Sequence, residues 1–182
     1  NGSIMSEIFV DNIKHQSSQG SGTITLGASG EKIDLGSGVT GTLTNGPAFK
    51  VHRDVVQSIA ANTTTKVEWD TTVYDTGSCW DGTNYRFTPN VAGYYHFTTN
   101  YYLSNSSQEC IMMFYKNGTE VARMFDFKMT NLWMWNGSCT VYMNGTTDYI
   151  ETYVNVQVTG ENFQTSGSTE AFNWFQGHRL II

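Results

Sequence analysis

The chain has 182 residues and a formal net charge of −6, and 14% of its residues are charged while 14% are aromatic. Phosphate binding needs a basic patch, so this acidic balance argues against a nucleic-acid partner. The sequence predicts no membrane insertion, because no apolar run approaches the ~20 residues of a spanning helix. An average soluble domain is about 25% charged. This surface must therefore be covered by small polar side chains or be partly hidden in an oligomer.

The N-terminal quarter differs in composition from the rest of the chain. We expect residues 1–4 to be the remnant of a tag and Met5 to be the natural start, and no charged-then-apolar stretch at the N-terminus resembles a signal peptide. Residues 23–31 (TITLGASGE) and 32–40 (KIDLGSGVT) form a nine-residue repeat, which predicts strand–turn units that need neighbours from other chains. A flexible Gly/Ser linker is the alternative. We predict an attachment or stalk segment over residues 5–46 and a globular domain over 47–182.

The globular part is organised around residues 85–104, where an extended run follows a turn that contains Pro89. Successive side chains of a strand point to opposite faces. One face would carry Tyr95, Phe97, Thr99, Tyr101 and Leu103. The other face would carry Tyr94, His96, Thr98, Asn100, Tyr102 and Ser104. The first set predicts the core side, and the second is both polar and aromatic and needs some other cover.

Short strands separated by turns account for the remaining domain. Candidate strands cover residues 49–56, 66–74, 110–116, 120–127, 139–143, 149–158 and 172–182. The dipeptides Asn117-Gly118, Asn136-Gly137 and Asn144-Gly145 are typical hairpin turns. No segment has convincing helical periodicity. About eight to ten short strands predict an all-β antiparallel sandwich or jelly roll.

No catalytic or metal-binding motif is present, so we predict neither an enzyme nor a resident cofactor. Three widely spaced cysteines, Cys79, Cys110 and Cys139, predict reduced and mostly buried thiols. The four histidines are scattered without zinc spacing. Near one turn, Asp70, Asp75 and Asp81 could supply oxygen ligands for Ca²⁺, although carboxylates without EF-hand spacing are more often turn residues.

Ordered motifs across residues 49–182 resemble those of the C1q-like domain. They begin with Phe49 and continue with residues 87–97 (FTPNVAGYYHF), which look like the family signature F-x-x-P-x-x-G-x-Y-x-F. The hairpin dipeptide Asn117-Gly118 and the segment at Asp148 follow. Residues 175–180 (FQGHRL) are similar to the terminal F-x-G-x-x-L. The resemblance implies a homotrimeric jelly roll of the C1q/tumour necrosis factor type.

The N-terminal residues 6–14 (SEIFVDNIK) and 21–31 (SGTITLGASGE) are similar to segments of bacteriophage tail fibres and virion appendages. Together the two resemblances imply a trimeric fibre or spike made in a bacterial cytoplasm. Its N-terminal segment would bind other virion proteins, and its head would bind a bacterial surface glycan or protein receptor. A secreted eukaryotic C1q-related lectin and a small glycan depolymerase are the alternatives.

Aromatic and sulphur-containing side chains supply the candidate contact residues. Residues 124–135 (MFDFKMTNLWMW) favour core and interface packing, with an exposed sugar- or receptor-binding patch as the sharper interpretation. The predicted trimer-interface and core residues are Tyr94, Tyr95, Phe97, Tyr101, Met112, Phe114, Tyr153 and Phe175. The predicted receptor contacts are Trp133, Trp135 and Trp80.

Overall fold

The computed structural model describes residues 46–103, 109–128, 134–157, 161–162 and 172–181. The predicted stalk segment, except for its last residue, lies outside these ranges, as do Trp133, Ser104 and the 23–40 repeat. In the described ranges no helix combines the length and the apolar content needed to cross a membrane.

Thirteen strands occur in the described ranges, and eight of them have five or more residues. The longer strands are β1 (Ala48–His52), β4 (Thr71–Asp75), β7 (Gly93–Tyr102), β8 (Glu109–Lys116), β9 (Thr119–Lys128), β10 (Met134–Met143), β11 (Ile150–Val156) and β13 (Trp174–Arg179). The two-residue strands are β2 (Ser58–Ile59), β3 (Thr65–Lys66), β5 (Trp80–Asp81), β6 (Arg86–Phe87) and β12 (Glu161–Asn162).

The strands form two main sheets and a small ribbon. The first sheet has the order β10-β7-β13-β1-β4, and the second has the order β5-β6-β11-β8-β9, with β3 also paired to β11. Strands β2 and β12 pair separately. All of these named strand pairs are antiparallel. The predicted antiparallel jelly-roll sandwich is therefore confirmed, with the first and last long strands adjacent in the first sheet.

Aromatic rings from both sheets meet in the core. The predicted inward side of β7 is confirmed, because Tyr95, Phe97 and Tyr101 are all 0% exposed. Phe49 of the first sheet stacks on Phe87 of the second, with ring centres 4.2 Å apart. Burial of aromatic side chains on this scale is the dominant stabilising contribution to such a sandwich.

The predicted strand over residues 66–74 is wrong, because the chain changes sheets in the middle of it. Strand β3 pairs with β11 in the second sheet, and β4 pairs with β1 in the first. Between them Trp69 is buried, and its indole N–H donates a hydrogen bond of 2.9 Å to Thr152 Oγ1. The Asp70 carboxylate accepts hydrogen bonds from the backbone N–H groups of Asp54 and Val55. These tertiary bonds hold the crossover, and they override the local alternation.

The Asn-Gly dipeptides have different outcomes. Asn117 and Gly118 have φ of 52° and 77° and join β8 to β9, so this predicted hairpin is confirmed. The predicted turn at Asn136-Gly137 is wrong, because both residues lie inside β10 and pair with β7. A Cβ on Gly137 would lie 2.3 Å from Met124 Cγ. The glycine at this position accommodates a packed methionine rather than a turn.

The C-terminal residues only partly follow the predicted strand over residues 172–182. Strand β13 ends at Arg179, and the Leu180 N–H still donates to the Tyr94 carbonyl oxygen at 2.8 Å. Ile181 is 70% exposed. The backbone bond holds Leu180 against β7, while the next side chain faces solvent.

We expect Gly177→Ala to lower the free energy of unfolding by about 1–3 kcal/mol, the usual cost of overpacking. Its Cβ would lie 2.4 Å from Phe97 Cδ1 and 3.0 Å from Phe49 Cε1, and both rings are fully buried. Gly82→Ala is the matched control, since its Cβ would meet nothing closer than Trp80 Nε1 at 3.7 Å. Chemical denaturation of both variants checks this, and equal stability of the two would contradict the packing described.

Candidate interface on the outer face of the first sheet

One side of the first sheet faces away from the core, and we call its side chains on β7, β10 and β13 the outer face. They are Tyr94, His96, Thr98, Asn100 and Tyr102 on β7, Met134, Asn136, Ser138, Thr140 and Tyr142 on β10, and Trp174, Gln176 and His178 on β13. None of them is a carboxylate, lysine or arginine, and Lys50 of the adjacent strand β1 lies beside them, with its Nζ 6.0 Å from the centre of the Trp174 ring. The predicted polar and aromatic face of the central strand is confirmed for its described residues.

Large apolar side chains on the outer face remain exposed. Tyr94 and Tyr142 are cross-strand partners with ring centres 5.4 Å apart, and they are 46% and 49% exposed. Met134 at the other end of β10 is 46% exposed. A contiguous surface of this kind with so little charge marks an interaction site.

The middle of the outer face is small and polar. Thr98 lies between Ser138 on one neighbouring strand and Gln176 on the other. Two residues earlier on β7, His96 lies between Thr140 and His178. Short side chains at the centre with rings at the edge make a surface on which a flat, uncharged partner can pack.

The corresponding side of the second sheet carries a buried ion pair. Lys66 Nζ lies 2.5 Å from Glu151 Oε1, and the Tyr153 hydroxyl donates to Glu151 Oε2 at 3.1 Å. The rings of Tyr115 and Tyr153 have centres 4.3 Å apart. Burial and the neighbouring Glu151 carboxylate raise the pKa of Tyr153 to about 12. This ion-paired side therefore differs from the uncharged outer face of the first sheet.

The predicted interface and core residues separate into three environments. Tyr94 lies on the outer face of the first sheet, and Tyr153 lies on the far side of the second. The buried members are Tyr95, Phe97, Tyr101, Met112, Phe114 and Phe175. The sequence interpretation missed Tyr142, Thr140 and His178. For the first two, alternation along residues 134–143 was the available signal, hidden by the Asn-Gly pair read as a turn.

The predicted receptor tryptophans are largely enclosed where the structure describes them. Trp135 is 5% exposed and belongs to the core. Trp80 is partly buried, and its ring stacks on Phe49 with centres 5.4 Å apart. Trp133 lies outside the described residues. Neither described indole offers a fully open ring to a partner in this structure.

The three aspartates considered for Ca²⁺ each serve a different loop. Asp70 holds the crossover described above, and Asp75 Oδ2 accepts from the Trp80 N–H at 2.8 Å. Asp81 accepts from Asn84, whose amide side chain and backbone N–H lower the pKa of Asp81. Across the described part of the chain, no group of three or more His, Cys, Asp or Glu residues is placed to hold a metal ion.

The cysteines are free thiols, as the sequence predicts. Cys79 and Cys110 are buried and Cys139 is partly buried. Burial raises the pKa of Cys139 to about 12, so its thiol stays protonated at neutral pH. A protonated thiol is a poor nucleophile. Cys139 of β10 therefore serves to pack against the core.

A charged network closes the loop between β10 and β11. Asp148 accepts hydrogen bonds from Asn117 Nδ2 at 2.7 Å and from the Asn144 N–H at 2.9 Å, and it lies 2.7 Å from Lys116 Nζ. Burial raises the pKa of this carboxyl, but the bonds from Lys116, Asn117 and Asn144 outweigh it, and the net pKa is lowered. The network joins the β8–β9 hairpin to the start of β11.

We expect the stability that comes from Asp148 to be lost in acid. Its pKa is lower in the folded state, so this contribution is full above the unfolded value of about 3.9 and disappears as pH falls through the folded value. Asp148→Asn should cost about 1.5–3 kcal/mol at pH 7, as for hydrogen bonds to a charged group. It should also reduce the loss of stability between pH 5 and 2. Denaturation curves across that range check this, and an unchanged acid slope would contradict it.

Two antiparallel sheets in this strand order define a jelly-roll module of the C1q/tumour necrosis factor type. The family model of the C1q domain matches residues 48–180, which is more than half of the chain. The chain therefore belongs to the C1q domain family. Domains of this type are generally binding or structural modules rather than enzymes.

Solved structures with the same fold have low sequence identity. Murine APRIL at pH 8.0 is 10% identical with a TM-score of 0.57, covering 74% of this chain and 98% of its own. The globular domain of zebrafish complement 1qA is 17% identical with a TM-score of 0.53, and the match covers 75% of this chain and 98% of the zebrafish chain. The PRD1 vertex protein P5 is 14% identical with a TM-score of 0.52, covering 75% and 99%. No curated protein sequence matches the chain.

Proposed function

We propose that this protein is the trimeric head of a virion fibre or spike and that it attaches the particle to a host-cell surface. The observation that supports this most is the uncharged outer face, where Tyr94, Tyr142 and Met134 are each almost half exposed in one chain. Such a surface is costly to leave in water. Two further copies of the same chain cover it in this proposal.

The family supports the proposed trimer, as the exposed outer face does. C1q and tumour necrosis factor domains typically form homotrimers and bind receptors. In the proposed assembly the outer faces meet around the symmetry axis, and the ion-paired side of the second sheet faces solvent. Residues that are already buried within a single chain, such as Phe97, form the core of that chain and make no contact between copies.

The virion role rests on two likenesses. The PRD1 vertex protein P5 shares the fold, and the N-terminal residues resemble those of phage fibres. In this proposal residues 5–46 join the head to other virion proteins. The head binds a glycan or protein of the bacterial surface in this proposal, and Trp133 remains a candidate contact.

A secreted recognition lectin is the second candidate, and the likeness to zebrafish complement 1qA favours it. Asn62 is exposed at a positive φ of 54° and starts the glycosylation sequon Asn62-Thr63-Thr64. Intact mass of the protein from its natural source distinguishes the two. A glycan on Asn62 would support the lectin, and an unmodified chain would support the virion protein.

Three measurements test the proposed trimer and its attachment role. Light scattering should give the mass of three 20.3 kDa chains at low micromolar concentration. Antibodies raised against residues 47–182 should label the outer tips of intact virions in electron micrographs, and the free protein should compete with adsorption to host cells. A monomer, or trimers that neither label virions nor compete, would contradict the proposal.

A further inference from the structure

Two histidines face each other across neighbouring strands of the outer face. His96 of β7 and His178 of β13 are direct partners in the antiparallel register. Their ring centres are 6.0 Å apart with an angle of 62° between the planes. His178 is exposed and His96 is partly exposed. Residues directly opposite have Cβ atoms about 4.5–5.5 Å apart, so both rings can reach one point above the sheet.

This spacing suits a shared metal ion. Two imidazole nitrogens bound to one Zn²⁺ at about 2.0–2.1 Å in tetrahedral geometry place their ring centres ~5–6 Å apart. The pair therefore needs little movement to bind the same ion. Both backbones are fixed by the β7–β13 ladder, so the two ligands are already positioned before a metal arrives.

The surroundings of His96 supply a further feature of metal sites. Its Nδ1 lies 3.2 Å from Thr140 Oγ1 on the neighbouring strand β10. Metal-binding histidines usually donate the N–H of the second ring nitrogen to an outer-shell acceptor, which fixes the tautomer and the ring orientation. With Nδ1 bonded to Thr140, Nε2 is the nitrogen left for a ligand.

The chemistry of the outer face selects the class of cation. Imidazole nitrogens suit Zn²⁺, Cu²⁺ and Ni²⁺, whereas Ca²⁺ and Mg²⁺ prefer carboxylate oxygens, of which the outer face has none. In the described residues of one chain no third His, Cys, Asp or Glu joins the pair. Any further protein ligand must come from another copy.

We propose that His96 and His178 bind a divalent transition-metal ion of the zinc class, and that a side chain of a neighbouring copy completes its tetrahedral coordination. The second half of this inference rests on the proposed trimer. His96 and Thr98 are two residues apart on β7 and therefore lie side by side on the outer face. The bound ion thus links copies near the centre of that face. A cation held there stabilises the assembled state by mass action, since only that state offers the complete site.

The test is a Zn²⁺ titration of the full chain without a histidine tag, by calorimetry and by equilibrium dialysis, after treatment with a chelator. We expect one bound ion per chain, because threefold symmetry repeats the site in every copy. His96→Gln and His178→Gln should each weaken binding at least ~100-fold, beyond the 10–100-fold typical for losing an outer-shell partner. Thr140→Val, which removes only that partner, should weaken binding about 10-fold.

His52→Gln is the matched control, because His52 lies in the same sheet, is only 8% exposed and has its Nδ1 3.2 Å from Asp54. It should leave zinc affinity unchanged. Zinc binding that survives His96→Gln with His178→Gln would overturn the site. A trimer that binds no zinc would overturn it while leaving the proposed function intact. A chain that stays monomeric at every zinc concentration would overturn both the trimer and the shared coordination.

Discussion

Thr98→Arg is expected to convert the proposed trimer into a folded monomer of 20.3 kDa. Thr98 lies at the centre of the outer face, between Ser138 and Gln176, and is partly exposed in one chain. A guanidinium there remains in water while the chain is alone, so the fold tolerates it. In the assembly each copy would bury that charge on an outer face that has no carboxylate of its own, at a cost of about 3–5 kcal/mol. Light scattering measures the mass, and circular dichroism checks the fold.

Val121→Arg is the control for Thr98→Arg. Val121 lies on β9 of the second sheet and is 43% exposed, so the same charge is added to a surface outside the proposed interface. This variant should remain trimeric with an unchanged dependence on concentration. If Thr98→Arg were a folded trimer while Val121→Arg dissociated, the interface would lie on the second sheet instead.

The local patterns that predicted the fold are those that depend on near neighbours in sequence. Alternation along β7 follows from the period of a strand, and the β8–β9 hairpin follows from two residues that accept positive φ. Both features hold in the structure because core burial agrees with the local preference. Those patterns could not predict the strand order of the first sheet, because β1 pairs there with β13 from the other end of the domain.

The errors come from contacts between distant residues. Val67 and Trp69 alternate as a strand would, yet bonds from Asp70 to the loop at Asp54 turn this segment across the sandwich. Asn136-Gly137 has the composition of a turn, but packing of Met124 over Gly137 keeps it in β10. Without the correct β10, sequence reasoning could not place Thr140 and Tyr142 beside β7.

The candidate interface could be predicted only in part for the same reason. The outward position of Tyr94 and His96 is encoded locally, whereas the identity of their neighbours depends on which strands flank β7. His178 becomes the partner of His96 only through the β7–β13 pairing. The sequence therefore indicated that one face needed cover, and the structure showed that this face is uncharged and carries a histidine pair.

Lys66→Met is expected to give the largest loss of stability among single polar replacements considered for this domain. The Glu151 carboxylate is almost fully buried, with 5% side-chain exposure, and Lys66 Nζ lies 2.5 Å from it. Removing the ammonium leaves a buried charge with the Tyr153 hydroxyl as its remaining described partner. Breaking a buried pair in this way costs about 3–5 kcal/mol, and the 31% exposure of the Lys66 side chain favours the lower end. Many domains have only about 5–15 kcal/mol in total.

Glu151→Gln should cost less than Lys66→Met, because the lysine left behind can turn to water and still donate to the Asn84 carbonyl oxygen. The double variant should recover most of the loss, giving a coupling energy of about 1–3 kcal/mol in a double-mutant cycle. Arg123→Met is the exposed control, since its pair with Glu120 lies at the surface and should contribute about 0.2–1 kcal/mol. Denaturation at one fixed chain concentration measures all four variants, because dissociation of an oligomer would otherwise shift the midpoints. Additive losses for Lys66 and Glu151 would mean that the buried carboxylate does not depend on the ammonium beside it.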